Sequence, residues 1–399
     1  MSGSPNKPQL LVLDGGLGTT LEDVFHRDIS HALWSAKPID EDPEVIIAAH
    51  LAFLRAGANV ILTSTYQCAY NTFERAGYTR EDARRIMLKS VKLANEAKHR
   101  FLAELAEKTE HGDEEDAPPP HDVKIALSLG PFGATLSPAQ EFDGFYPPPF
   151  GPNLSSSERR TNAFEDTPEG RSQEQAAIDA LTAFHHERLS IFAEDAEAWD
   201  AIDFVAFETV PLRREVYAIR QTIARFQEER RADGLERLVR MKPWWISTDY
   251  PDGQFPEVTP NGRHLTVREV ASAALLEEKG GLPLGFGINC TGLEFLQQLL
   301  ADASPVAREC ATINGKKPWL VLYPNRGDVY NPETQSWSTK GREGVKWAEV
   351  LRTVVVENLQ SGNWEGLIVG GCCKTGPAEI ARLVEELQAW GVPKDLDVI

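Results

Sequence analysis

The chain has 399 residues, 42% of them hydrophobic, enough apolar material for one large barrel domain or two ordinary domains. Its formal net charge of −19 argues against a nucleic acid or an anionic membrane as partner, because an acidic surface neutralises neither. The N-terminus lacks a secretory pattern, no apolar stretch is long enough to span a bilayer, and the five cysteines are odd in number, so a cytoplasmic chain with reduced or metal-ligating thiols is expected.

Short apolar runs alternate with helical patterns throughout. The expected strands are Leu10–Leu13, Asn59–Thr63, Val123–Leu127, Phe204–Phe207, Trp244–Ser247, Leu284–Ile288, Trp319–Tyr323 and Leu367–Val369. Asp42-Pro43 caps and opens a helix that runs into Gly57, and Thr79 with Asp82 opens another toward Lys108. Further helices are expected at Gln173–Trp199, Arg213–Arg230, Thr266–Lys279, Gly292–Ala301, Val345–Gln360 and Pro377–Trp390. Strands this continuously apolar are covered on both faces, which indicates a parallel sheet. Eight of them favour a closed (β/α)8 barrel of the TIM type, one domain over residues 1–399, over an open doubly wound sheet. Two segments exceed minimal barrel connections. The acidic, proline-containing stretch near 110–122 precedes the third strand, and the stretch 137–171 follows it on the face where barrel chemistry sits, as a lid or as a variable insertion.

The chemistry concentrates at strand tips. Leu367-Ile-Val-Gly-Gly-Cys-Cys-Lys-Thr-Gly-Pro377 is a buried strand that delivers adjacent thiols, and Leu284-Gly-Phe-Gly-Ile-Asn-Cys290 is a second strand ending in one. Neighbouring side chains of a regular strand point to opposite faces, so Cys372 and Cys373 serve one centre only if the backbone bends, which Gly370 and Gly371 make easy. The C-terminal ends of barrel strands converge over the mouth, where Cys290 can meet the other two. Three thiolates suit Zn²⁺ and leave a fourth position for a substrate. Cys68, just beyond the second strand, is a competing fourth ligand, and Cys310, in the stretch after the sixth helix, has no reason to be near. Small buried hydrophobes and a vicinal disulfide are the other readings of these cysteines.

The residues also carry a resemblance. Asp14-Gly-Gly-Leu-Gly-Thr-Thr-Leu-Glu22, Leu33-Trp-Ser-Ala36, His50, Ala56-Gly-Ala-Asn59, Thr63-Ser-Thr-Tyr-Gln67, Gly130-Pro131, His186, Phe207-Glu-Thr209, Gly287-Ile-Asn-Cys290, Tyr323-Pro-Asn325 and Gly370-Gly-Cys-Cys373 together resemble the homocysteine S-methyltransferases. The Leu-Trp-Ser-Ala and Thr-Tyr-Gln stretches look closer to the S-methylmethionine-using branch than to the betaine-using one. The resemblance implies a (β/α)8 barrel, zinc held by Cys290, Cys372 and Cys373, and homocysteine recognised by Asp14 and Glu208. It implies methyl transfer from a sulfonium donor, S-methylmethionine or S-adenosylmethionine, to L-homocysteine, with the metal activating the thiol, which is otherwise mostly protonated at neutral pH.

A sulfonium is a cation that aromatic faces attract; Trp34, Tyr66, Phe132 and Tyr323 are the aromatic candidates, and Asn289 and Asn325 either orient a ligand or cap the following helices. The glycines after Asp14 are expected to bring backbone amides to a substrate carboxylate. Another thiol or selenol acceptor such as selenocysteine, and a non-catalytic zinc or redox-sensing barrel, remain as alternatives. The oligomeric state is open.

Overall fold

Strand pairing runs around a ring in which each strand lies beside its sequence neighbour. The structure is a computed structural model that describes residues 9–29, 33–110, 122–153, 161–234, 239–331, 336–339 and 344–391. The strands are β1 (Gln9–Val12), β2 (Val60–Leu62), β3 (Lys124–Leu129), β4 (Phe204–Phe207), β5 (Trp244–Thr248), β6 (Gly285–Asn289), β7 (Trp319–Tyr323), β8 (Asp328–Asn331), β9 (Ser336–Thr339) and β10 (Gly366–Val369). All but β8 and β9 form one parallel sheet in the order β1-β10-β7-β6-β5-β4-β3-β2.

The ring closes between β1 and β2, where Leu13 bridges Val60 in parallel. Two side chains complete that seam: Asn59 Oδ1 accepts from the Val12 N–H at 2.7 Å, and Asp14 Oδ2 accepts from the Leu62 N–H at 2.9 Å. Helices cover the outside. The fold is therefore a (β/α)8 barrel, with every expected barrel strand present.

Alternation along the strands separates two cores. Leu11, Leu13, Val60, Leu62, Trp245, Trp319, Val321 and Ile368 fill the barrel interior, while Leu10, Ile61, Ile246, Leu320, Leu322 and Leu367 face the helices. A Cβ on Gly285 would lie 2.9 Å from the Trp319 Cβ, and one on Gly366 would lie 2.8 Å from its ring. Residues without side chains on both flanks thus admit the Trp319 indole.

The helices depart from expectation at their ends. The Thr79 start holds, with the Asp82 N–H donating to Thr79 Oγ1 at 3.1 Å before the helix Arg80–Glu110. Asp42 precedes the helix Pro43–Arg55, but its carboxylate pairs with Arg27 instead of capping. The stretch expected as one helix over Gln173–Trp199 is two, Pro168–Ala193 and Ala196–Ala201, because Asp195 caps the second by accepting from the Ala198 N–H at 3.0 Å. The helix beginning at Leu293 continues to Asn314 through Pro305, so Cys310 lies inside it, buried on its apolar face. The helix expected over Thr266–Lys279 stops at Leu275, and β8 and β9 form an antiparallel hairpin that the sequence reading did not anticipate. Of the two long connections, 111–121 and 154–160 lie outside the described residues.

Candidate metal and substrate site

Three sulfur atoms meet at the C-terminal mouth of the barrel. Cys290 follows β6, and Cys372 and Cys373 follow β10; their Sγ atoms all lie within 4.8 Å of one another, with Cys290 and Cys373 3.9 Å apart. Tetrahedral coordination with Zn–S bonds of 2.3 Å requires sulfurs separated by about 3.8 Å. The donor set and its spacing therefore fit such an ion. Cys373 takes hydrogen bonds from Cys290 and Cys372, which hold its thiol well below the ordinary range, while the Cys290 thiol is pushed up by its hydrogen bonds with Cys372 and Cys373 and by burial. Cys68 belongs elsewhere: it packs among the helix-side core residues, its thiol faces the Ser64 carbonyl at 3.8 Å, and burial raises it to about 12.

The turn that gathers the vicinal pair is built by backbone approach rather than by glycine dihedrals. Neither Gly370 nor Gly371 has a positive φ; the left-handed residues here are Cys290 at 48° and Lys374 at 62°. Any side chain at Gly370 would put its Cβ 2.5 Å from the Asp14 carbonyl oxygen, and at Gly371 2.1 Å from Thr375 Oγ1. From the other side, a Cβ on Gly15 would meet the Thr375 carbonyl oxygen at 2.3 Å and one on Gly16 the Cys372 carbonyl oxygen at 2.5 Å. The Gly371 N–H donates to Asp14 O at 3.0 Å, and the Gly16 N–H to Thr375 O at 2.9 Å. The two glycine pairs thus interlock. The Gly16 amide, expected to face a substrate carboxylate, is already used.

The two predicted carboxylates border the thiols. Asp14 is wholly buried, with Oδ2 committed to the β1–β2 seam and Oδ1 without a partner among the described residues. Glu208, just past β4, accepts from the Ser128 hydroxyl. Burial drives Asp14 well above the usual carboxylate range, helped by the charge of Glu208, and raises Glu208 to about 8, helped by Cys372. Two buried acids that ionise poorly alone become stable carboxylates beside a cation.

Asn289 fixes Glu208 through its neighbour: the Asn289 amide donates to Thr209 Oγ1 at 2.7 Å and accepts from the Thr209 N–H at 2.9 Å, holding Thr209 at φ 54°. It ends β6 and caps no helix. Asn325 joins its N–H to Thr291 O at 3.0 Å. Among the aromatics, Phe132 is core packing, stacked on Phe150 at 3.8 Å, and Tyr323 donates to Ser247 Oγ at 2.8 Å inside the barrel. Tyr66, half-buried, has a hydroxyl that feels Glu141, Cys290 and Glu208.

Several supporting residues were not foreseen. Buried Arg188 donates to the carbonyls of Cys68 at 2.8 Å, Gly130 at 2.6 Å and Tyr66 at 2.8 Å, tying the tips of β2 and β3 together. Glu215 accepts from the Phe132 N–H and the Tyr146 hydroxyl, each at 2.7 Å, and sits 2.9 Å from His185 Nε2. These bonds fix the start of the long connection after β3. Its end is held by Asn162, whose amide donates to Asp143 O at 2.8 Å and to Pro256 O at 2.9 Å. Nothing in the patterning of a helix or a polar loop marks such residues. A surface cavity of about 480 Å³ beside Phe164, Arg213 and Arg263 contains none of the site residues.

Comparison with known proteins places the chain in a family and a fold. Residues 11–387 match the family model described as homocysteine S-methyltransferase. Homocysteine S-methyltransferase 2 of Zea mays is 31% identical over 378 residues, 94% of this chain and 88% of that protein. Selenocysteine Se-methyltransferase of Brassica oleracea var. italica is 28% identical, with 94% and 88% covered. The oxidized form of the homocysteine methyltransferase MmuM from Escherichia coli superposes with a TM-score of 0.61 at 25% identity, covering 94% of this chain and 95% of that one. Its metallated form gives 0.59 at 25%, covering 95% and 96%.

Proposed function

The chain belongs to the homocysteine S-methyltransferase family, and from that premise we propose that it is a zinc-dependent enzyme transferring a methyl group from S-methylmethionine, or S-adenosylmethionine, to L-homocysteine. The observation that carries this reading is the cluster of three sulfurs beside two buried carboxylates at the barrel mouth. Cys290, Cys372 and Cys373 are the residues that would hold the ion, which when bound supplies the positive charge that keeps a thiol deprotonated near neutral pH. Asp14 Oδ1 and Glu208 receive the ammonium group of homocysteine, since a buried carboxylate without a hydrogen-bond donor is costly and a bound cation satisfies it. The Asn289–Thr209 pair keeps Glu208 in place. The homocysteine sulfur attacks the sulfonium methyl in line; a new C–S bond forms, the old one breaks, and its electron pair leaves with a neutral thioether.

Methionine formation in the cytoplasm by one barrel domain belongs to the same proposal. No helix among the described residues is long and apolar enough to cross a membrane. Cys372→Ser and Cys373→Ser are each expected to lose zinc and methionine formation together, measured on one preparation; full turnover by a metal-free variant contradicts the reading. Because relatives include enzymes named for selenocysteine, the same assay run with selenocysteine against homocysteine decides the preferred acceptor.

A further inference from the structure

Beyond the acceptor site, two more acids at the mouth have buried carboxylate oxygens without a partner among the described residues. Asp249 follows β5 directly, is 0% exposed, and has no hydrogen-bond partner for either carboxylate oxygen among the described residues. Its place is fixed from both sides: the adjacent Tyr250 N–H donates to Thr291 Oγ1 at 2.9 Å, and Thr291 Oγ1 donates to the Asn289 carbonyl at 2.8 Å, next to Cys290. Glu141, in the connection after β3, is 9% exposed, and its buried Oε2 is likewise unpartnered. The connection that carries Glu141 is pinned by Asn162 to the connection that follows Asp249, where the Val258 N–H donates to Asn162 Oδ1 at 3.0 Å.

Burial disfavours the charged form of both acids. Burial first, and then the charges of Glu141 and Cys372, push Asp249 well above the carboxylate range, while burial with the charge of Asp143 raises Glu141 to about 7. In the β5–β6 register Thr248 lies opposite Ile288, so Asp249 sits level with Asn289, one residue from Cys290, and across the barrel from the closure seam that holds Asp14. A fully buried carboxylate with three empty acceptor positions shared between two acids is rare without a ligand, because each unmet group costs free energy.

We propose that Asp249 and Glu141 form the receptor for the primary ammonium group of the methyl donor. This rests on the methyltransferase reading and deepens it. Empty carboxylate oxygens need N–H donors, and only a donor carrying a free amino group brings them beside its sulfonium. A fully methylated ammonium such as that of betaine has charge but no N–H, and leaves both acids unmet. A sulfonium acid without an amino group does the same. The pair therefore selects amino-acid sulfonium donors, and it does so away from the acceptor's own ammonium site.

The test compares S-methyl-L-methionine with 3-dimethylsulfoniopropionate, which keeps sulfonium and carboxylate but lacks the amino group, as donors to homocysteine in the zinc-loaded enzyme. In Asp249→Asn, kcat/KM for S-methylmethionine is expected to fall about ten- to hundredfold, with 3-dimethylsulfoniopropionate turnover, homocysteine KM and zinc content unchanged. Glu141→Gln is expected to move the same ratio in the same direction, and serves as the independent reading should Asp249→Asn fold poorly. An equal fall with both donors, or an unchanged ratio in both variants, overturns the assignment. A wild-type enzyme that binds zinc yet methylates homocysteine from neither donor, nor from S-adenosylmethionine, overturns instead the methyltransferase reading itself.

Discussion

Glu208 shows how much of the chemistry depends on a single buried group. Burial, helped by the charge of Cys372, raises it to about 8 against the Ser128 hydroxyl, whose hydrogen bond favours the carboxylate, and in the proposed complex the substrate ammonium restores its charge. Glu208→Gln keeps the shape and removes the charge, so homocysteine KM is expected to rise ten- to hundredfold, about 1.5–3 kcal/mol of lost binding, while zinc content measured on the same protein stays at the wild-type level. The cysteines were legible in the sequence because adjacent thiols after two glycines are rare outside metal and redox sites. Glu208 was legible only through its family motif. Asp249 and Glu141 were not, since an acid next to a strand or in a polar loop looks solvated until the fold buries it. Arg188 was hidden for the same reason, as a charged residue in a mixed helix whose side chain turns inward to meet three carbonyls.

Among elements, the interlocked turns after β1 and β10 matter most. Gly16→Ala places a methyl group 2.5 Å from the Cys372 carbonyl oxygen, so one turn must shift and the sulfur triangle opens. The expected result is at least tenfold weaker zinc binding, read by chelator competition, in a protein whose circular dichroism spectrum is unchanged; wild-type affinity would show that the turns are not coupled. Strands were legible because fully buried parallel strands are short unbroken apolar runs. Helix ends were less so. Pro305 reads as a stop, yet the helix continues because Leu296, Leu299, Leu300, Ala303, Val306, Ala307 and Cys310 bury one continuous face, which outweighs the roughly 3 kcal/mol penalty of an interior proline. The hairpin of β8 and β9 has only four residues per strand, too few to reveal a period of two.

For the whole molecule, acid stability depends on groups buried in their neutral form. His50, in the helix Pro43–Arg55, is fully buried with both ring nitrogens unpartnered among the described residues, and burial lowers its pKa to about 4. The unfolded chain binds a proton near pH 6.5 and the folded chain only near 4. Its contribution is therefore intact above 6.5 and lost as pH falls through that window, at about 1.4 kcal/mol per unit and about 3 kcal/mol in all. His50→Leu removes that loss: between pH 7.5 and 5.0 the variant is expected to gain about 2 kcal/mol relative to wild type, measured by urea unfolding. An identical pH dependence in the two proteins would contradict this. The barrel architecture itself was readable from alternation alone, but its closing seam was not, because two bonds there come from the side chains of Asn59 and Asp14. Since β1 lies beside β10 and its turn locks onto Gly370–Thr375, a ribosome has passed every other strand of the barrel before two of the three sulfurs exist. An emerging polypeptide thus carries Cys290 without its companions, and capture of the proposed ion is deferred until the first and last βα units have found each other.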